Sequence, residues 1–410
     1  MSVTKYLGRY AEAEAGCGEL EQLCRLGPWA HAVVIPARRE GVECLEAASA
    51  PAGRGSVLCV LVVNAPAGCD ASEELLERVE ARALRWRGPA GLSLHRVGDL
   101  DVLLVDRCRE ERSFGPEDGV GLARKIGADL VLRLHELGAL RWPWIHSTDA
   151  DARLPAEHFE RVAGLDAAAV VAPFWHVPGD DARAHEATLR YELSLRYYVA
   201  GLRFAGSGYA FHTIGSLISV SCSAYAGVRG FPRRKAGEDF YLLNKVAKLG
   251  PVRSVGGAPV EIRSRRSSRA PFGTGPAVEA LLAGEDLRVY DPRVFETLAR
   301  VLAAHGSIGR GEVDAGLGAL AQLCEEFEDI PQLHEALGAA RALTDRYRAA
   351  QLERRLRESF DAFRTLKLIH GLTAARWPKR SWAAAIERAS FLDVGAKLTL
   401  DEQRRALRGF

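Results

Sequence analysis

The 410-residue chain has no uninterrupted apolar run of the ~18 residues that a membrane-spanning helix requires, so no segment is expected to cross a bilayer. A secretory leader is not expected either. The first residues, M-S-V-T-K-Y-L-G-R-Y-A-E-A-E-A-G, place acids where a signal peptide has its apolar core. The eight cysteines, at positions 17, 24, 44, 59, 69, 108, 222 and 324, include no C-x-x-C pair. Most, like Cys59 in V-L-C-V-L-V-V, read as small apolar core residues, which predicts a reducing, cytoplasmic setting. Charge of one sign is absent too. Lys and Arg number 55 against 53 Asp and Glu, a net charge of +2, so nothing favours a nucleic-acid partner. There is no repeat of fixed period and no low-complexity tract.

A hydrophobic content of 48% and a charged content of 26% describe an ordinary globular chain, long enough for a sizeable core and two domains. Apolar, β-branched runs predict strands at His31 to Ala37, Ser56 to Asn64, Val102 to Asp106, about Trp142 to Ile145, and Ala167 to Trp175 as one continuous strand. Helices are expected over 41–50, 72–84, 118–138, 183–204 and 237–250. In the third of these, Leu122, Ile126, Leu130 and Leu134 share one face and Gly138 supplies the stop. Near-continuous apolar strands alternating with helices predict an α/β fold, a mostly parallel sheet covered on both faces. Beyond residue 276 strand signals cease and only helices are expected, so a domain boundary is placed there.

The most informative stretch is I-H-S-T-D-A-D-A-R-L-P, Ile145 to Pro155. Asp149 and Asp151 leave a strand together and a helical signal follows, the order expected at the carboxyl edge of a parallel sheet. Two hard oxygen donors there suit Mg²⁺ or Mn²⁺ with a diphosphate as co-ligand. The same residue type also caps helices and shapes turns. An EF-hand is excluded, because the further acids and the glycine of its loop are absent. A second acidic pair, Glu238 and Asp239, opens a predicted helix, where acids also serve the helix dipole. Metal-assisted departure of a diphosphate and proton removal by a carboxylate are the parts needed to transfer a sugar to a hydroxyl.

The succession V-V-I-P-A-R-R-E, G-V-G-L-A-R-K-I-G-A, S-T-D-A-D-A-R-L-P and G-E-D-F-Y-L resembles the family-2 glycosyltransferases over roughly residues 30–275. The resemblance implies a GT-A nucleotide-diphospho-sugar transferase fold over 30–275, after an N-terminal extension (1–29) and before an all-α C-terminal domain (276–410). It implies a metal-dependent transferase, using Mn²⁺ or Mg²⁺, that moves sugar from a nucleotide-diphosphate donor to a hydroxyl of a saccharide, lipid-linked or small-molecule acceptor, with inversion. By it, Pro36, Glu40, Asn64, Arg124 and Asp149 line the donor nucleotide. Asp151, with Asp149, holds the metal. Asp239 is the general base, with Glu238 beside it. Asn64 stands where the family usually has aspartate, and Lys125 where it usually has asparagine. T-A-A-R-W, Thr373 to Trp377, is a chance likeness to the Q-x-x-R-W of membrane-embedded members.

Other residues are ambiguous on sequence alone. Arg263, Arg265, Arg266 and Arg269, in an expected mobile loop, suit phosphate or form a solvated basic loop. His176, His212, Trp175, Tyr191, Tyr197 and Tyr198 either line an acceptor site or pack. A-R-W-P-K-R-S-W fits a peripheral membrane contact or an ordinary surface. A nucleotidyltransferase would need a glycine-rich phosphate loop after the first strand, which P-A-R-R-E does not provide. The remaining alternative is a catalytically silent GT-A scaffold whose helical tail binds a protein partner.

Overall fold

The structure is a computed structural model that describes residues 1–45, 56–66, 73–109, 112–267, 273–395 and 397–410, with 349 and 350 described by backbone only. It divides into two compact units, residues 1–181 with 213–276, and residues 182–212 with 277–410.

The first unit is built on a nine-stranded sheet. Its strands are β1 (His31–Ala37), β2 (Val57–Asn64), β3 (Ala83–Arg87), β4 (Leu92–Val97), β5 (Leu100–Arg107), β6 (Trp144–Ser147), β8 (Ala169–Val171), β10 (Ile218–Ser221) and β11 (Val252–Ser254), in the spatial order β11-β8-β10-β6-β1-β2-β5-β4-β3. Only β4 and β10 run against the rest, so the sheet is mixed with most strands parallel. β1 and β2 are buried along their whole length, as near-continuous apolar runs predict for a sheet covered on both faces. A second sheet joins β7 (Ala152–Arg153), β12 (Val260–Arg263) and β9 (Phe174–Val177).

The helix Val120–Glu136 packs on the sheet, and Leu122, Ile126, Leu130 and Leu134 are all buried. Gly127 brings it close to β1, since a Cβ there would lie 2.3 Å from Val34 Cγ1. Gly138 follows the helix with φ +77°, the left-handed stop that its sequence announces.

Three expectations are corrected. The segment 167–175 is two strands in different sheets, parted at Ala172 and Pro173, because a proline has no N–H to continue a ladder. The helix expected over 72–84 ends at Glu80, and Ala83–Arg87 is an edge strand with only Trp86 buried. Val42–Leu45 forms a single 3₁₀ turn, and the remainder of the helix expected over 41–50 lies outside the described residues.

The second unit is helical apart from the two-residue strands Arg288–Val289 and Arg380–Ser381. The long helix Ala182–Phe204 shares a core with Pro292–Gly309, Val313–Glu326, Pro331–Arg346 and Ala362–Ala375, through Tyr197, Phe295, Leu298, Leu320, Leu333 and Ile369. Glu192, wholly buried on the long helix, accepts from Arg196 at 2.8 Å and Arg404 at 2.9 Å. That pairing is what allows a carboxylate in such a place. Tyr197 is core, its hydroxyl donating to Tyr290 O at 2.7 Å, and Tyr198 packs on Tyr290 and Phe295. Trp377 packs against Phe327, and Trp382 donates its indole N–H to Gln403 Oε1 at 2.8 Å. The two indoles of A-R-W-P-K-R-S-W are thus committed to the helical core. No helix among the described residues is long and apolar enough to cross a membrane.

Candidate active site

β2, β1 and β6 are parallel neighbours, so their carboxyl ends open at one edge of the sheet. Asn64 ends β2, Glu40 follows β1, and Asp149 and Asp151 follow β6. Adjacent strand ends of one sense are where an α/β sheet leaves room for a ligand. Pro36 helps to make that room. Thr148 N–H donates to Val34 O at 3.1 Å, so Val34 bonds toward β6. Two residues on, the proline nitrogen faces the same side, beyond the last β1–β6 pair, Val34 with Ser147. The ladder stops there without a lost hydrogen bond.

Arg124 organises the site. Its side chain is 3% exposed, and all three nitrogens of its guanidinium donate hydrogen bonds. Nε donates to Glu238 Oε1 at 2.7 Å, Nη1 to Ser147 Oγ at 2.6 Å and to Gly215 O at 3.3 Å, and Nη2 to Asp149 Oδ1 at 2.5 Å. Ser216 Oγ donates to the other oxygen of Asp149. Burial works against the ionised form of Asp149, but Arg124, Ser216 and the nearby Arg265 hold its pKa below the ordinary value.

Two glycines bring Arg124 to Glu238. The segment 232–235 lies against the first turn of Val120–Glu136, with Gly121 N–H donating to Arg234 O at 3.0 Å. A Cβ on Gly121 would stand 2.5 Å from Pro232 O, and one on Gly119 2.6 Å from Lys235 Cα. Gly237, at φ +74°, then turns the chain into the helix Glu238–Val246.

Asp239, next along, accepts the backbone N–H of Phe240 at 2.7 Å. A helix N-terminus alone would make such a carboxylate a weak base. Here burial and the charge of Glu238 outweigh Arg124 and the Phe240 N–H, and raise its pKa to about 7. It is therefore poised to exchange a proton near neutrality.

Asp151 is held separately. Arg265, just beyond β12, places Nε 2.6 Å from Asp151 Oδ2 and gives both terminal nitrogens to Glu40 at 2.8 Å. Arg263 Nη2 pairs instead with Asp180 at 2.5 Å. Arg269 lies outside the described residues.

Asp149 and Asp151 are hard donors of the kind Mg²⁺ and Mn²⁺ prefer, and the guanidinium on Asp151 marks a place where positive charge is already favoured. Among the described residues no three His, Cys, Asp or Glu side chains form a ready metal cage. Two carboxylates still fit these ions, which take their other ligands from phosphate and water.

Of the residues singled out from the sequence, Arg124 joins Asp149 and Glu238, beside which stands Asp239; Arg265 joins Glu40 and Asp151; and Pro36 and Asn64 stand at the carboxyl ends of β1 and β2. Sequence reasoning missed Ser147, Gly215 and Ser216, and could not single out Arg265 among its neighbours. His176, buried in β9 with its ring 5.5 Å from Phe174, is a packing residue of the second sheet. His212, Tyr191, Tyr197 and Tyr198 belong to the helical unit. Lys125 points away from the acids of the site, giving Nζ to Tyr6 Oη at 2.6 Å and Asp129 Oδ2 at 2.8 Å.

A comparison with models of known protein families gives no match, and a comparison with curated proteins gives none either.

Proposed function

We propose that this chain is a glycosyltransferase of the GT-A type, moving a sugar from a nucleotide-diphosphate donor to a hydroxyl acceptor with inversion. The observation that carries the reading is the shared guanidinium of Arg124, which joins Asp149 of the D-x-D segment to Glu238 of the E-D segment. These segments lie 89 residues apart in sequence (238 minus 149), and the buried guanidinium that joins them supports reading the two acidic pairs as parts of one site. A second support is Asp239, whose pKa of about 7 suits a general base.

In this mechanism Asp239 accepts the proton of the acceptor hydroxyl as its oxygen attacks the anomeric carbon. The bond from that carbon to the diphosphate oxygen breaks, and the nucleoside diphosphate leaves with the bonding pair. Glu238, pinned by Arg124, keeps the local potential negative and so maintains the basicity of Asp239. Asn64, Pro36 and Glu40 present the strand ends to the nucleoside. Asp151 with Asp149 would hold a divalent cation, which would supply charge neutralisation for the departing diphosphate.

The test is calorimetric titration of UDP, GDP and dTDP, each with Mn²⁺, Mg²⁺ or chelator, into the wild type and Asp151→Ala. Metal-dependent binding of one nucleotide, lost in the variant, is the expected result. No binding of any nucleotide by folded protein overturns the reading and leaves the silent scaffold.

A further inference from the structure

Arg265 bridges Asp151, one of the two expected metal ligands, to Glu40, and the geometry sets a condition on how the metal position fills. Glu40 comes from the end of β1, Asp151 from the turn after β6, and Arg265 from the chain leaving β12. The backbone around Arg265 is itself anchored at this point. Arg263 N–H donates to Asp151 O at 2.8 Å and Ser264 N–H to Val177 O at 3.0 Å. The main chain that carries Arg265 is therefore fixed beside Asp151, while its side chain remains 30% exposed.

Charge bookkeeping sharpens the point. Arg124 is shared by Asp149 and Glu238, and Arg265 by Glu40 and Asp151, so each guanidinium faces two carboxylates. A cation approaching Asp151 meets a carboxylate whose Oδ2 already faces Arg265 Nε at 2.6 Å. A guanidinium fork matches a phosphate at least as well as a carboxylate. Arg265 thus has an alternative anion to move to once a diphosphate is present.

We propose that Arg265 is a displaceable counter-cation. It occupies Asp151 in the empty site, lowers the affinity for metal alone, and transfers to the donor diphosphate when nucleotide and metal enter together. The inference rests on the donor-site reading above. It makes metal and nucleotide binding interdependent, so that each strengthens the other. Arg265 acts here as a positioning residue.

The experiment follows the free Mn²⁺ signal by electron paramagnetic resonance, with Mn²⁺ titrated into full-length wild type, Arg265→Gln and Arg265→Lys, with and without the nucleoside diphosphate identified by calorimetry. Arg265→Gln is expected to bind Mn²⁺ alone roughly tenfold tighter or more, as expected for losing one charge-assisted competitor. It is also expected to lose most of the mutual enhancement between Mn²⁺ and nucleotide. Arg265→Lys, which keeps the charge but not the fork, is expected to fall between. Damage to the site would weaken metal binding, so a gain is specific to competition. Unchanged or weaker binding of Mn²⁺ alone by Arg265→Gln, in a protein that still binds metal and nucleotide together, overturns this inference and leaves the donor site standing. Absence of Mn²⁺ binding in all three proteins, even with UDP, GDP or dTDP present, overturns both.

Discussion

Gly215 and Arg124 are in such close approach that a Cβ on Gly215 would fall 2.1 Å from Arg124 Nη2 and 2.5 Å from Cζ. Arg124 cannot retreat, because its donors are committed to Glu238, Ser147 and Asp149. Gly215→Ala is therefore expected to cost about 1–3 kcal/mol of stability, as overpacking of a fixed core does. It should also weaken metal-dependent nucleotide binding, since Asp149 would be turned from its position. Urea denaturation and calorimetry measure the two effects, and a variant of unchanged stability and affinity contradicts the argument.

The pH dependence of transfer should report Asp239. A general base works only when ionised, so kcat/KM is expected to rise with pH and level off above about 7. Removing the neighbouring charge with Glu238→Gln takes away a principal cause of the raised pKa. The acid limb should then move to lower pH, even as Arg124 loses a partner and the maximal rate falls. A limb that stays in place, or moves upward, assigns the titration to another group.

Lys125 provides a contrast on the same helix. It shares its charge with Asp129, which is wholly buried and also accepts from the hydroxyls of Tyr6 at 2.6 Å and Tyr225 at 2.8 Å and from Glu12 N–H at 2.8 Å. This network fastens residues 1–12 to the first unit. Lys125→Met leaves a buried carboxylate without its cation and should cost roughly 3–5 kcal/mol. Adding Asp129→Asn removes the charge but keeps an acceptor for the tyrosines, so the double variant should recover much of the loss. Nucleotide affinity is expected to stay as in the wild type in both, once folded.

These residues show where sequence reading reaches its limit. β1 and β2 were legible because burial on both faces demands an apolar run, which is visible in one window. β3 and β4 were not, since an edge strand such as A-L-R-W-R buries only Trp86 and its charges read as a helix surface. A turn signal was present for the next hairpin, which joins β4 to β5. Gly98, at φ +58°, begins a two-residue turn between Val97 and Leu100, which are directly paired. Within the site, the acids stood out because carboxylates cluster at strand and helix ends. Their partners did not. Ser147, Gly215 and Ser216 are common residue types whose meaning lies in contacts with residues distant in sequence. Which of several loop arginines faces Asp151 depends on how β12 pairs with β7 and β9, a fact that no local pattern encodes.

The last prediction concerns acid stability. His31, His146 and His158 are buried together, with ring centroids 5.8 Å apart for the first pair and 5.5 Å for the second, and Phe159 stacks on His31 at 4.9 Å. His146 Nδ1 meets Ser219 Oγ at 2.7 Å, while His146 Nε2, His158 Nε2 and His31 Nδ1 have no partner among the described residues. Burial, with Arg141 near His31 and Arg161 near His158, lowers these two to about 4, and burial with the two neighbouring imidazoles holds His146 well below its ordinary value. The unfolded chain takes up protons at these histidines near its ordinary value of ~6.5, which the folded chain refuses. Stability conferred by the cluster is thus full above about pH 6.5 and declines as the pH falls toward 4, by up to about 3 kcal/mol each for His31 and His158, with His146 acting in the same direction. Asp239 acts in the opposite sense. Its folded pKa of about 7 means the fold binds a proton that the unfolded chain releases, so it favours the fold at the acid end of the same window. Three groups against one leave a net loss on acidification. Urea denaturation between pH 7.5 and 5 should show it. His158→Leu should flatten that dependence, and Asp239→Asn should steepen it. If neither variant changes the slope, the acid sensitivity resides elsewhere in the chain.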